Sequence, residues 1–356
     1  MSLATVGRYR RGRATLAAFL VPLGAVAAAG LMDPAAQAAT QAARLPAARA
    51  AAYTPAHRAA PPREILIPGA RIFPESLTST ADGAVIIGSI GQGAIYRALP
   101  GSTRAFLWIR PGAHGIQSIF GVLADEKSNT LWACSNSLGP PRGPPHPRPA
   151  LYAFDLATGA LKGRYAFPSF GALCNDISIG PDGTAYATDT YDMEVVRLRK
   201  GARRLEVWAG HGAFGPKGGL LDGIVVLNGR VIVGTLATSK LFSIPIEPDG
   251  RAGPVAPITL DHPLARPDGI RRFGRESLLV AQGGAGGRLS RVTLHGNRAV
   301  VVTVKQGFPQ GPTAVTVVGT TAYVAQGQLA TLFAKGYGPH TKTQPFHAIA
   351  VYVGRP

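Results

Sequence analysis

Residues 174–188 read Cys-Asn-Asp-Ile-Ser-Ile-Gly-Pro-Asp-Gly-Thr-Ala-Tyr-Ala-Thr, two short β-rich runs on either side of a Gly-Pro-Asp-Gly turn. Proline presets φ for a tight turn and the glycine after it accepts positive φ, so this stretch predicts a β-hairpin. The same unit recurs along the chain. The second strand of the hairpin has counterparts in Ile86-Ile87-Gly88-Ser89, Leu131-Trp132-Ala133-Cys134, Val231-Ile232-Val233-Gly234, Leu278-Leu279-Val280-Ala281 and Ala322-Tyr323-Val324-Ala325. Turn signals precede these runs, among them Ala81-Asp82-Gly83, Lys127-Ser128-Asn129 and Asn228-Gly229.

The first strand of the unit gives a second register. It starts at Glu75-Ser76-Leu77, Phe120-Gly121-Val122, Asn175-Asp176-Ile177, Asp222-Gly223-Ile224, Asp268-Gly269-Ile270 and Thr313-Ala314-Val315, with separations of 45, 55, 47, 46 and 45 residues. Such a period suits a four-stranded propeller blade, and the one long interval holds a proline-rich insert, Leu138 to Pro149. Further strands follow at Ala94 to Ala98, Leu151 to Leu156, Val195 to Leu198, Lys240 to Pro245 and Leu289 to Leu294. Six such units with no helical period between them predict an all-β, six-bladed β-propeller, because radial closure disposes of exposed sheet edges. A β-sandwich or two small barrels would not produce one register across the whole domain.

In a propeller the innermost strand of every blade starts at the same face, so residues sharing a register position converge on the channel. That ring is Glu75, Phe120, Asn175, Asp222, Asp268 and Thr313. Three carboxylates and an amide brought together away from water need a partner, since unpaired buried charge costs several kcal/mol per ion. The donors are all oxygen, with no His or Cys, which points to Ca2+ or another hard divalent cation held by Glu75, Asn175, Asp222 and Asp268. Pro181-Asp182-Gly183 and Pro248-Asp249-Gly250 read as ordinary turns; Asp268 differs because its Pro-Asp-Gly falls in the inner-strand register.

At these residues the chain resembles the calcium-dependent propellers that include senescence marker protein 30, the gluconolactonases and, more distantly, the paraoxonases. The resemblance runs from Ile65 to Val353. Its carriers are Phe73-Pro74-Glu75, the 174–183 stretch, Leu221-Asp222-Gly223 and Arg266-Pro267-Asp268-Gly269. It implies metal ligands at Glu75 and Asp268, with Asn175-Asp176 in the metal shell or at substrate. Asp222 stands where the family usually has asparagine; the added carboxylate suits Ca2+ but weakens the positive charge left to polarise a carbonyl. Blade two departs as well. Paraoxonases carry His-Gly-Ile there, whereas the register gives Phe120-Gly121-Val122 and His114-Gly115-Ile116 lies six residues earlier. His114 is therefore a loop residue, grouped with Phe120 and Thr313 as a candidate substrate contact.

The implied activity is metal-dependent hydrolysis of a small-molecule lactone or related ester, with Asp268 or Asp176 taking the proton of the attacking water. No Gly-x-Ser-x-Gly elbow supports a serine mechanism. The second reading is a non-catalytic exported propeller with a structural channel cation that binds a small ligand or an envelope partner.

Composition and the N-terminus complete the expectations. With 46% hydrophobic and 16% charged residues among 356, the chain is globular, and 45 glycines and 30 prolines without a period punctuate many short elements. Arg8, Arg10, Arg11 and Arg13 precede an apolar run from Ala14 to Met32, and Ala36-Gln37-Ala38 is a small-x-small cleavage site. Residues 1–38 therefore read as an export signal to the periplasm or exterior, 39–63 as an Ala/Pro/Arg tether and 64–356 as the propeller, with no stable membrane span after cleavage and a monomeric state. The charge of +18 is spread along the chain with no zinc-finger, RNA-recognition or helix-turn-helix pattern, so nucleic acid is not expected as a partner. Cys134 and Cys174 read as two half-buried strand residues, with a single bridge open to an oxidising compartment.

Overall fold

The computed structural model describes residues 61–356 apart from 139–146, 211, 284–285, 335–337 and 339. The export signal, nearly all of the tether and most of the proline-rich insert lie outside the described residues.

The described chain is a six-bladed β-propeller. It opens with β1 (Glu64–Ile67). Blade one follows as β2 (Pro74–Ser79), β3 (Val85–Ser89), β4 (Ala94–Ala98) and β5 (Phe106–Ile109). Blade two is β6 (Ser118–Asp125), β7 (Thr130–Asn136), β8 (Ala150–Asp155) and β9 (Leu161–Ala166). Blade three is β10 (Cys174–Ile179), β11 (Ala185–Asp189), β12 (Glu194–Leu198) and β13 (Glu206–Ala209). Blade four is β14 (Leu221–Leu227), β15 (Arg230–Thr235), β16 (Lys240–Pro245) and β17 (Ala256–Pro257). Blade five holds β18 (Thr259–Leu260), β19 (Pro267–Phe273), β20 (Ser277–Gln282), β21 (Arg288–His295) and β22 (Arg298–Gln306). Blade six is β23 (Pro312–Val318), β24 (Thr321–Gln326) and β25 (Phe346–Tyr352), completed by β1 as its outermost strand.

Two details differ from a plain four-stranded repeat. Blade five has a fifth strand, because β18 pairs in parallel with the start of β22 through Thr259 and Leu260. Blade six is closed by the first strand of the domain, Glu64 opposite Ile349 through Ile67 opposite Phe346. This joins the two ends of the domain in one sheet, so opening the ring requires breaking an antiparallel ladder.

The core lies in the wedges between adjacent sheets. Ile86, Ile95 and Ile109 of blade one pack with Val122, Leu131 and Phe154 of blade two, and Tyr186 and Val195 of blade three pack with Ile224 and Phe242 of blade four. Each fully buried side chain of this kind stabilises the fold by about 1.5–3 kcal/mol relative to exposure. The inner strands are buried along nearly their whole length, whereas an outermost strand such as β9 is largely exposed. Strand order sets the faces. Inner strands start at the face where second strands end, so residues 75, 175, 222 and 268 share one face and the first hairpin turns of every blade lie at the other.

Cys134 of β7 and Cys174 of β10 are bonded to each other, with Cα atoms 5.2 Å apart, and both are fully buried. The expectation of two separate half-buried cysteines is thereby corrected. The repeat places them on neighbouring blades, but only the wedge between the sheets brings the side chains together.

Candidate metal centre

Every inner strand carries the same irregularity. From Pro74 to Leu77 three steps on β2 face two on β3, from Ser89 to Ile87. The same extra residue occurs between Ile119 and Val122, Cys174 and Ile177, Leu221 and Ile224, Pro267 and Ile270, and Pro312 and Val315. A β-bulge suspends the in–out alternation and re-aims the side chains it contains. The first bulged residues are Glu75, Phe120, Asn175, Asp222, Asp268 and Thr313, the ring that the repeat predicts.

The second bulged residue meets the next blade. A Cβ on Gly121 would lie 2.2 Å from the Asn175 carbonyl oxygen, and one on Gly223 would lie 2.3 Å from that of Asp268, so neighbouring inner strands approach too closely for a side chain there. Where this residue is not glycine or alanine it acts as an acceptor. The Val122 N–H donates to Ser76 Oγ at 3.2 Å, and the Ile224 N–H donates to Asp176 Oδ2 at 3.3 Å. The entry to the inner strand is strained in three blades, where Phe73, Leu220 and Arg266 hold φ of 46°, 59° and 52°. Each such residue stores about 1–3 kcal/mol, a pattern found where structure serves a site.

One carboxylate oxygen from each of Glu75, Asp222 and Asp268 lies within 4.8 Å of the others, and all three residues are buried. Asn175 joins them. Its Nδ2 donates to Thr190 Oγ1 at 3.0 Å and to Asp222 Oδ2 at 3.2 Å, and its Oδ1 has no partner among the described residues. Thr190 is itself anchored, donating to the Leu221 carbonyl at 2.7 Å. Asp222 Oδ1 is likewise buried with no partner among the described residues. In the protein alone, burial and then the charges of Asp222 and Asp176 push Glu75 well above the usual carboxylate range. Burial and then the charge of Asp176 push Asp222 up to about 7, and burial with the charges of Asp222 and Glu75 pushes Asp268 well up. Three carboxylates and an amide oxygen, with the amide oxygen and one Asp222 oxygen buried and unpartnered, fit a hard divalent cation.

The remaining sequence-predicted residues take different places. Asp176 Oδ2 accepts from Nη1 of Arg271 at 2.7 Å, and its Oδ1 is buried with no partner among the described residues. Thr313 donates its hydroxyl to the Pro74 carbonyl at 3.0 Å, tying blade six to blade one. Phe120 is buried. His114 lies in the connection between β5 and β6, exposed, with its ring centroid 6.1 Å from that of Phe154 on the third strand of blade two. The structure does not bring it onto an inner strand.

No protein-family model matches the sequence, and no curated protein matches it. Solved structures do resemble it. A gluconolactonase from Xanthomonas campestris superimposes with a TM-score of 0.55 at 14% identity, over 79% of this chain and 86% of that one. The calcium-binding protein regucalcin from Agrobacterium tumefaciens gives 0.54 at 13% identity, over 82% and 97%. The chain has the fold of the gluconolactonase and regucalcin propellers. A PQQ-bound aldose sugar dehydrogenase from Streptomyces coelicolor gives 0.53 at 15% identity, over 82% and 99%, so the same architecture also carries other chemistry.

Arg271 is the residue that sequence reasoning missed. It lies on β19, three residues after Asp268, and is buried. Its Nη1 donates to Asp176 Oδ2 and to the Ile270 carbonyl, and its Nη2 donates to Ser76 Oγ at 3.2 Å and the Val122 carbonyl at 3.3 Å. One guanidinium thereby joins blades one, two, three and five and offsets one of the four channel carboxylates. The signal was present in the repeat: the position three after the ring reads Thr78, Leu123, Ser178, Val225, Arg271 and Thr316, with a single charge among them.

Proposed function

We propose that this chain is an exported, monomeric hydrolase of lactones or related esters that works with a hard divalent cation, Ca2+ foremost. The observation that carries the reading is the convergence of Glu75, Asp222 and Asp268 beside the free Oδ1 of Asn175. The likeness to a gluconolactonase and to a calcium-binding regucalcin supports it. Glu75, Asn175, Asp222 and Asp268 would hold the ion through their oxygens. When bound, such an ion acts as a Lewis acid toward a carbonyl oxygen and makes a coordinated water more acidic.

The chain's own groups divide the remaining work. Asn175 presents Oδ1 because Thr190 and Asp222 hold its Nδ2. Asp268 is the stronger candidate for the proton of the attacking water, since Asp176 already receives the Arg271 guanidinium and the Ile224 N–H on Oδ2. Asp176 can accept only through Oδ1. Water adds its oxygen to the carbonyl carbon, the ester C–O bond breaks, and the proton passes to the departing alkoxide, giving a hydroxy acid from a lactone. Phe120 supplies an apolar wall, Thr313 keeps a hydroxyl lone pair toward substrate, and His114 belongs to the rim.

Export is part of the proposal. Residues 1–38 serve as the signal, 39–63 as a tether and 64–356 as the propeller. The Cys134–Cys174 bridge supports an oxidising compartment. Among the described residues no helix is long and apolar enough to cross a membrane.

The test is hydrolysis of a panel of γ- and δ-lactones and aryl esters by the purified chain with and without Ca2+. Turnover that needs Ca2+ and is lost in Glu75→Gln is expected; no turnover on any member with the metal bound rejects the reading. One observation favours the second reading, a structural ion: the Arg271 network binds four blades together directly beneath the acids in sequence register. Chelation that lowers the melting temperature of a protein without turnover would select it.

A further inference from the structure

At the opposite face of the propeller a groove of about 600 Å³ opens between blades two and three. It shares no residue with the acid cluster and stands independently of the proposed hydrolysis. Six cations line it: Lys127, Lys162, Arg164, Arg199, Lys200 and Arg203. Its two acids are spent within their own turns. Asp125 Oδ2 accepts from Ser128 Oγ at 2.5 Å, and Asp182 accepts from the Thr184 N–H at 3.0 Å and hydroxyl at 2.7 Å.

The cations fall into two groups. Lys127 donates to the Pro181 carbonyl at 3.2 Å, Lys162 to the Ser128 and Asn129 carbonyls and Thr130 Oγ1, and Arg164 to Tyr152 and the Arg148 carbonyl, so these three are held by the fold. Among the described residues Arg199 pairs through Nε with Glu206. Lys200 and Arg203 are exposed and have no ion-pair partner among the described residues. The groove wall also contains Trp132, at 9% exposure. Trp132 stands beside Tyr165, with ring centroids 6.3 Å apart, which offers an apolar surface next to the donors.

We propose that this groove binds a small phosphate ester, with the phosphate held by Arg199, Lys200 and Arg203 and the organic part resting against Trp132 and Tyr165. Guanidinium and ammonium groups favour phosphate oxygens through charge-assisted bonds, and the cavity volume suits a ligand of this size.

The experiment is calorimetric titration of the full chain with glucose 6-phosphate and with inorganic phosphate at fixed chloride, alongside NMR of the indole N–H signals assigned with Trp132→Phe. Saturable binding of glucose 6-phosphate is expected, with a shift of the Trp132 indole proton and at least tenfold weaker binding in Lys200→Ala/Arg203→Ala at unchanged melting temperature. Absence of saturable binding overturns the site. Wild-type affinity in the double variant overturns it as well, assigning the interaction to the general positive charge, and equal affinity for inorganic phosphate overturns the ester assignment.

Discussion

Arg271 on the inner strand of blade five places Nη1 2.7 Å from Oδ2 of Asp176 on the inner strand of blade three, and both residues are buried. The contact spans the channel and links two blades separated by a whole sheet. Its partners Ser76 and Val122 extend the link to blades one and two. A charge removed from this set leaves another buried without its counter-charge.

Arg271→Met is therefore expected to destabilise the fold by about 3–5 kcal/mol, the loss typical when one member of a buried ion pair is deleted. Asp176→Asn/Arg271→Met should lose less than the sum of the two single changes. Chemical denaturation of the four proteins in a double-mutant cycle measures this, and additive losses would show that the two groups do not interact.

Gly121 lies where a Cβ would sit 2.2 Å from the Asn175 carbonyl oxygen. Gly121→Ala should force blades two and three apart at the bulge, lowering stability by about 1–3 kcal/mol or more. It should also weaken cation binding, because Asn175 is the residue displaced. Calorimetric titration with Ca2+ separates the two effects; unchanged affinity would detach Asn175 from the centre.

The Cys134–Cys174 bond closes a separation of 40 residues and ties blade two to the residue just before Asn175. Reduction, or Cys134→Ser/Cys174→Ser, is expected to cost about 2–5 kcal/mol. Thiol titration of the unfolded, unreduced chain should find no free cysteine, and two reactive thiols would contradict the bridge.

Asp189, opposite Cys174 in the ladder, supplies a pH test on a carboxylate that is not itself a candidate ligand. Burial holds its carboxyl up to about 6, against the pull of N–H donors from Leu173, Tyr191 and Asp192. The folded protein thus keeps a proton that the unfolded chain releases near pH 4. The stability this confers is complete below about pH 4 and is lost as pH rises to about 6, by about 3 kcal/mol at most. Asp189→Asn keeps an acceptor oxygen but has no charge, so the difference between wild type and variant should fall across that window and stay level above it. A difference independent of pH would contradict the assignment.

The fold was legible because its information is local and repeated. Turn tripeptides such as Pro181-Asp182-Gly183 mark hairpins, and the inner-strand register repeats closely enough to align Glu75, Asn175, Asp222 and Asp268 over nearly two hundred residues. Other features depend on distances between chain segments that carry no local mark. β1 carries no mark of its partner in the sequence, and only closure of the ring shows that it completes blade six. Cys134 and Cys174 sit on different strands of different blades, and their meeting depends on how two sheets wedge together. The six bulges explain why the ring side chains converge, yet their trace in the sequence is slight, a glycine after Phe120, Asp222 and Asp268. Arg271 was visible as a charge in an otherwise neutral register, but the Asp176 it serves is 95 residues away.

The central claim is that Glu75, Asn175, Asp222 and Asp268 form one cation site. Calorimetric titration of chelator-treated protein with Ca2+, checked by elemental analysis after dialysis, tests it most directly. One tightly bound dication per chain is expected for the wild type, with none retained in Glu75→Gln/Asp268→Asn. A wild-type protein that takes up no dication, or a double variant that binds as the wild type does, would contradict it.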